Sequence, residues 1–309
     1  MKILITGVHG FVGSNLVKAL ADGHTIYGLD IVAPEKAGIA RTYSWEDLEQ
    51  RQLPEVDAII HLAGKAHDTK HQADADVYFK VNTGLTQRVY DYFTASSAQK
   101  FIFFSSVKAA ADHVAGEYVD ETVTPSPVGP YGESKIAAER YIQAHEVKHT
   151  YILRPCMIHG PGNKGNLNLL YAVASKGLPW PLGSFENHRT FMSIDNLCYV
   201  ISLLLTRNIE GGVYHVNDDE AVSTNRLIEL ICEGVGKKPH IWHINTEVME
   251  MCALLGDILH LPLNRERLHK LTENYISANA KIKQALGIAH MPISAEEGLR
   301  RTIQSFQRT

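Results

Sequence analysis

The chain has 309 residues and a mass of 34.3 kDa, enough for one large or two modest domains with a real core. Hydrophobic residues make up 45% and charged residues 21%, the balance of a soluble globular protein; a net charge of −4 without a sustained basic run speaks against nucleic acid or an anionic membrane as partner. No stretch approaches the ~20 apolar residues of a membrane span, glycines at 7, 10 and 13 break the apolar start too early for a leader peptide, and Cys156, Cys198, Cys232 and Cys252 are too scattered for a Cys-x-x-Cys site and read as reduced thiols of a cytoplasmic protein.

In chain order, the first element is a short apolar run, Lys2–Thr6, that leads straight into Gly7-Val8-His9-Gly10-Phe11-Val12-Gly13 and then a helical pattern carrying Leu16, Val17 and Leu20. In a strand, glycine turn and helix of this kind, the glycines turn tightly and let the backbone approach a pyrophosphate, and the helix N-terminus faces the phosphates. Gly7, Gly10, Phe11, Val12 and Gly13 are therefore candidate cofactor contacts. The second strand ends at Asp30, about 20 residues past the glycines, where a carboxylate accepts hydrogen bonds from the adenosine ribose. It also repels a 2′-phosphate, and Val8, His9, Ile31 and Val32 include no arginine to answer one. The pattern favours NAD over NADP.

Residues 46–52 suggest a short helix, and residues 58–64 a buried parallel strand. Leu62, Ala63 and Gly64 at its carboxyl end leave room for a flat cofactor to cross. His61 reads as a histidine satisfied inside the domain. His67 and His71 stand four apart, but no third ligand is placed by spacing, so no metal site is assigned. A helix with Leu85, Val89 and Phe93 follows. The strand over residues 101–106 then brings Ser105 and Ser106 to the ligand edge of a doubly wound sheet.

Pro125, Pro127 and Pro130 hold the next approach extended, and good helix formers follow from Ser134, so Tyr131 belongs in a first helical turn. Tyr131 and Lys135 then share a face about 5–6 Å apart. A phenol near pKa 10 is a poor proton acceptor at neutral pH, and an adjacent ammonium is expected to pull that value down. Ser106 supplies a hydrogen bond to an oxygen that Tyr131 also touches.

Strands continue over residues 150–153 and 213–217, and Ser223-Thr224-Asn225 caps a helix over residues 227–235. The apolar run 249–261 reads first as a core helix, and functionally as a substrate cover or dimer surface. The fold class expected is α/β, a doubly wound parallel Rossmann sheet with helices on both faces. Residues 1–155, with returning segments near 191–218, would bind cofactor, and residues 156–309 would form a smaller discontinuous lobe over the substrate.

Thr6-Gly7-x-x-Gly10-x-x-Gly13, Asp30, His61-Leu62-Ala63-Gly64, Asn82, Ser106 and Tyr131-x-x-x-Lys135 occur in an order and spacing that resembles the extended short-chain dehydrogenase/reductases, in particular the nucleotide-sugar epimerase/dehydratase group. His159-Gly160-Pro161-Gly162, the segment 189–196 and the segment 279–287 extend the resemblance over nearly the whole chain. It implies an NAD-dependent enzyme with Tyr131 as acid/base, Lys135 on the nicotinamide ribose, Ser106 on the sugar oxygen, and Asn82 and Ser105 at the cofactor end. Arg189 would hold the diphosphate, with Lys108 and Asn166 as further substrate contacts; UDP-linked sugars would be the substrate class and a homodimer the assembly. Three departures bear on the reaction. Val107 and Lys108 stand where dehydratases of the group carry Asp-Glu, so dehydration lacks its acid and base; Ala109-Ala110-Ala111 replaces a Val-Tyr-Gly; and Met157 replaces an asparagine. The reading is a 4-epimerase acting on a UDP-hexose or UDP-N-acetylhexosamine. The alternatives are a 4-keto-6-deoxy-sugar reductase and a catalytically silent binding protein.

Overall fold

Alternate residues of the central strands face opposite sides, and both sides are apolar. Ile3, Ile5, Ile60 and Ile102 feed one core, and Leu4, Ile59, Phe101 and Phe103 feed another. Such double burial is what a parallel sheet covered by helices on both faces requires. The computed structural model of the protein describes residues 1–65, 74–163, 166–259 and 263–307. Among these, seven strands form one parallel sheet: β1 (Lys2–Thr6), β2 (Thr25–Leu29), β3 (Arg41–Tyr43), β4 (Ala58–His61), β5 (Lys100–Phe104), β6 (His149–Pro155) and, later in the chain, Gly212–Val216. The strand order is β3-β2-β1-β4-β5-β6 with Gly212–Val216 beyond β6. The order reverses between β1 and β4, where a doubly wound sheet opens its crevice. The expected α/β Rossmann architecture is observed.

The helices around it are α1 (Phe11–Leu20), α2 (Trp45–Glu49), α3 (Ala75–Tyr78), α4 (Leu85–Ala95) and α5 (Gly129–Ala144). Between α3 and α4 the residues Phe79–Gly84 form a π-helical turn, a local widening often found at functional sites. Ser44 closes a capping box with Asp47 at the start of α2.

After β6 the chain builds β7 (Met157–His159), α6 (Asn166–Ala174), β8 (His188–Ser193) and α7 (Ile194–Thr206). The strand Gly212–Val216 is β9 and returns to the large sheet, while β10 (Ala221–Ser223) pairs antiparallel with β8, itself parallel to β7. This second sheet is not legible in the sequence, because its strands are mostly three residues long and carry little pattern. The helices α8 (Thr224–Gly234), α9 (Thr246–Leu259), α10 (Arg265–Thr272), α11 (Ala280–Leu286) and α12 (Ala295–Phe306) complete the chain. Leu227, Ile231, Leu299 and Ile303 join Trp180 and Phe191 in a further core. Helix α9 corrects one expectation: only Met249, Ala253 and Gly256 are buried, and most of its large apolar side chains face outward. It is not a core helix. No helix of the described residues is long and apolar enough to cross a membrane.

Candidate active site

The crevice after β1 is closed by backbone contacts that leave no room for side chains. A Cβ on Gly13 would lie 2.5 Å from the Gly7 carbonyl oxygen, and Gly7 itself has φ +68. Gly10 is the N-cap of α1 and has no side chain to cover the helix N-terminus, while Phe11 and Val12 form the first turn. Asp30 closes the neighbouring side: its Oδ2 accepts from the His9 amide at 3.0 Å and its Oδ1 from Ile31 at 2.7 Å. The carboxylate therefore stands fixed at the end of β2. On the other side, the Thr6 hydroxyl accepts from the Leu62 and Ala63 amides and bonds His61 Nδ1 at 2.7 Å, while His61 Nε2 meets Thr86 at 3.0 Å. Burial, helped by the Lys135 charge, pulls His61 down to about 3, so the ring is a neutral structural link, as its sequence context suggested.

Gly64 marks where the cradle meets the chemistry. A Cβ there would sit 3.0 Å from Asn82 Oδ1 and 3.3 Å from Lys135 Nζ. Asn82, turned inward on the π segment, accepts from the Lys65 amide at 2.7 Å and donates to Ser134 Oγ at 3.0 Å. Thr83 donates to the Ser134 carbonyl at 2.8 Å, so two hydrogen bonds pin the second turn of α5 to this wall. The residues present thus fit a dinucleotide along Gly7, Gly10, Phe11, Val12, Gly13, Asp30, Leu62, Ala63, Gly64 and Asn82, with a narrow glycine-lined floor and a fixed carboxylate at one end.

Gly132 lets α5 approach the 3-10 turn Val107–Ala109 closely, since a Cβ there would lie 2.5 Å from the Lys108 carbonyl oxygen. That approach brings Tyr131 close to Ser106, whose hydroxyl favours the phenolate. Ser106 also caps the 3-10 turn, accepting from the Lys108 amide at 3.2 Å. The cap role and the site role coexist. Tyr78 stands edge-on to Tyr131 with ring centroids 6.3 Å apart. Lys135 Nζ donates to the Phe104 carbonyl at 2.8 Å and lies over the Phe103 ring at 5.1 Å. Burial lowers Lys135 to about 8, opposed by the Glu139 charge. Tyr131 departs from expectation: burial raises its phenol, partly offset by the nearby Ser106 hydroxyl. The Lys135 ammonium is directed at the Phe104 carbonyl.

Three of the expected contacts, Ser105, Lys108 and Arg189, bond other groups of the protein. The Ser105 hydroxyl donates to Glu139 Oε1. Glu139 is also gripped by Arg154 through Nε at 3.0 Å and Nη2 at 2.7 Å, with both side chains buried. Sequence patterns do not point to this network, although Ser105, Glu139 and Arg154 all border the site residues. The Lys108 ammonium is held by the Asp112 carbonyl at 2.7 Å and carboxylate at 2.9 Å, over the Tyr275 ring. Arg189, on β8, donates from Nε to the Glu273 carbonyl at 3.1 Å and from Nη2 to the Lys270 carbonyl. Its Nε–Nη2 edge therefore holds the end of α10. Asn166 opens α6. His67 and His71 lie outside the described residues. Among those described, His113, His269 and Glu273 bring possible metal-ligand atoms within 4.8 Å of one another, but His113 Nδ1 already bonds Glu273 at 2.5 Å.

A family model described as "NAD dependent epimerase/dehydratase family" matches residues 3–217, which include every residue of the crevice and of the Ser106–Tyr131–Lys135 cluster. The chain belongs to this family. As a member of the NAD dependent epimerase/dehydratase family it is an NAD-dependent enzyme, and the crevice described above fits that cofactor. It is 28% identical to "UDP-glucose 4-epimerase" of Vibrio cholerae, over 99% of this chain and 95% of the relative. It is 26% identical to "N-acetyl-alpha-D-glucosaminyl-diphospho-ditrans,octacis-undecaprenol 4-epimerase" of Escherichia coli O157:H7, over 98% and 94%. Among solved structures, MoeE5 in complex with UDP-glucuronic acid and NAD shares the fold, with TM-score 0.78, 21% identity, and 100% of this chain and 99% of that one covered.

Proposed function

We propose that the protein is a nucleotide-sugar 4-epimerase acting on a UDP-linked hexose or N-acetylhexosamine. The observation that carries this reading is the convergence of Ser106 and Tyr131 with the buried Lys135 ammonium, whose Nζ would lie 3.3 Å from a Cβ on Gly64, at the end of the glycine-lined crevice. When bound, NAD supplies the hydride acceptor and donor for a sugar carbon. Tyr131 exchanges a proton with the C4 oxygen, accepting the hydroxyl proton as hydride leaves C4 and returning it as hydride comes back; burial, which raises the phenol of the free enzyme, favours the second of these steps and opposes the first. Ser106 would orient that oxygen by a second hydrogen bond, and Lys135 would hold the nicotinamide ribose and keep positive charge near Tyr131. A 4-keto sugar that turns over in the site and regains its hydrogen on the other face is the epimer. Arg189, through its Nη1 side, Asn166 and Lys108 are the proposed diphosphate and sugar contacts, with Lys108 first leaving Asp112. Residues 1–155 with returning segments form the cofactor part, and 156–309 the substrate part.

The two relatives carry different groups on the diphosphate, uridine in one and undecaprenol in the other, and UDP is the carrier proposed here. The second reading, a net 4-keto-6-deoxy-sugar reductase, rests on the resemblance of Ser105-Ser106-Val107-Lys108 and of the run 160–166 to the branch acting at C4 of 6-deoxy-N-acetylated hexoses, while Ala109-Ala110-Ala111 and Met157 loosen the match to a plain UDP-hexose epimerase. The assembly proposed is a homodimer, checked by light scattering. The location proposed is cytoplasmic, supported by four free thiols. The deciding experiment offers UDP-glucose and UDP-N-acetylglucosamine with catalytic NAD and follows both the sugar and NADH absorbance. Epimer formed without net NADH supports the proposal. NADH consumed in equal amount with a 4-keto-6-deoxy sugar, and no epimer from the hexoses, replaces it with the reductase.

A further inference from the structure

We infer that His113, His269 and Glu273 form a zinc site that clips two distant parts of the chain together. His269 and Glu273 stand four apart, in the last turn of α10 and at its C-cap, so both side chains leave the same side of the helix end. His113 comes from 160 residues earlier, just past the turn that follows Ser106 and carries Lys108. One ligand atom from each of the three lies within 4.8 Å of the other two. Two imidazole nitrogens and one carboxylate oxygen are a donor set that zinc takes, with water in the fourth position. Magnesium and calcium prefer oxygen ligands alone.

The acids around His113 argue for a cation rather than a plain hydrogen-bonded pair. Its Nδ1 lies 2.5 Å from Glu273 Oε1, and its Nε2 lies 3.3 Å from Asp112 Oδ2. A neutral imidazole has one N–H and answers only one of these acceptors. With that proton on Nε2, donated to Asp112, the Nδ1 lone pair faces Glu273, and a metal ion between them turns the opposition into two bonds. Asp112 then orients the ring from behind, as a carboxylate commonly does for a metal-bound histidine. The His113–Glu273 contact is thus the one that zinc replaces. Glu273 is well placed to receive it: its side chain is only 14% exposed, its main-chain carbonyl accepts from Arg189, and Oε2 lies 4.0 Å from His269 Nδ1. Zinc bonds of 2.0–2.1 Å set tetrahedral ligands about 3.3 Å apart. His113 therefore steps back and His269 steps in, and side chains 62% and 63% exposed leave both rings room to turn. Lys108 is paired with Asp112, and the Arg189 charge acts on Glu273. These cations offset the acids, so the affinity expected is micromolar. The inference stands independently of which sugar reaction the protein performs.

The test titrates metal-stripped, full-length protein with zinc in a calorimeter at about pH 8, where a second proton on an ordinary histidine is scarce. The titration is repeated in excess magnesium. Saturable micromolar binding that magnesium leaves unchanged is expected. The chain has 16 histidines, so variants assign the site. His113→Ala and His269→Ala should each weaken zinc binding at least about 10-fold, and Asp112→Asn, behind the ring, by about 10-fold or more. Excess zinc should raise the melting temperature of the wild type but not of the His113→Ala/His269→Ala double variant, since the clip binds only the folded chain. Neither histidine belongs to the cofactor crevice, so retained NAD binding shows that the variants are folded. Cobalt gives a reading that needs no variant: the strong visible bands of four-coordinate cobalt are expected in the wild type. Wild-type protein that takes up no zinc overturns the inference, because a second proton then does what the metal was inferred to do. Zinc that magnesium displaces, zinc binding unchanged in the double variant, or only the faint bands of six-coordinate cobalt would overturn it equally.

Discussion

Glu139→Gln tests whether the site is braced from behind by a buried charge network. Glu139 lies in α5, one helical turn after Lys135, with its side chain wholly inaccessible and that of its partner Arg154 4% exposed. The carboxylate accepts two bonds from the guanidinium and one from Ser105. Glutamine keeps the shape but removes the charge and points an amide donor at a donor. A buried cation that loses its partner costs about 3–5 kcal/mol. At about 2–4 °C per kcal/mol for a chain of this order of size, the melting temperature should fall by roughly 6–20 °C. A second effect follows from the same change. Glu139 is the charge that opposes burial in setting the Lys135 value of about 8, so its loss should move that value lower. The Lys135-dependent limb of the pH–rate profile should then shift to more acid pH. Thermal melts by circular dichroism and initial rates over pH 6–9 read both effects, where that pH span covers about a unit or more on either side of the lysine's transition. A variant that melts within about 1 °C of wild type, with an unmoved profile, would refute the brace.

Tyr131→Phe should lower turnover by about 10²–10⁴-fold, the usual contribution of a positioned acid/base, with NAD affinity retained in titration calorimetry; an active variant would move the proton to another group. Asp30→Ala should narrow the preference for NAD over NADP, measured by titrating both, and a wild-type protein that binds them equally would remove the role of Asp30. Arg189→Ala should weaken UDP binding by more than about 1.5 kcal/mol, and unchanged UDP affinity in a folded variant would leave Arg189 with only its bonds to the Lys270 and Glu273 carbonyls. His61 and His215 are held neutral by burial, lowered to about 3 and about 4 from a usual 6.5. The unfolded chain takes up protons below its ordinary histidine value while the folded chain does not, so stability is full above that value and is lost as pH falls toward 4. At pH 5 the loss is about 2 kcal/mol per histidine, and urea denaturation that gives equal stability at pH 7 and pH 5 would contradict it.

The parts of the fold that sequence reveals are those where one local pattern has one structural solution. Gly7, Gly10 and Gly13 between an apolar run and a helical repeat leave little besides a tight strand-to-helix turn open to a phosphate, and Asp30 follows from the same register. Tyr131 and Lys135 are legible because proline and helix formers fix their turn. Ser105 is not, since a hydroxyl at a strand end reads alike whether it meets a cofactor or Glu139 from a helix more than thirty residues away in sequence. Lys108 and Arg189 stand out by their charge, but their partners Asp112, Lys270 and Glu273 are fixed only by tertiary packing. The expected fall of the Tyr131 value rests on distance to a cation alone, and burial, which sequence does not quantify, reverses it. The run 249–261 shows the same limit: apolar composition predicts a helix but not which side of it meets water.

The measurement that tests the central claim most directly follows a deuterium placed at C4 of UDP-glucose or UDP-N-acetylglucosamine during turnover with catalytic, unlabelled NAD. If Tyr131 works on the C4 oxygen and the same hydride returns to the opposite face, the epimer carries the deuterium at C4 and NADH does not accumulate. Epimer that forms with hydrogen at C4, or label that appears in released NADH beside an oxidised sugar, would contradict it.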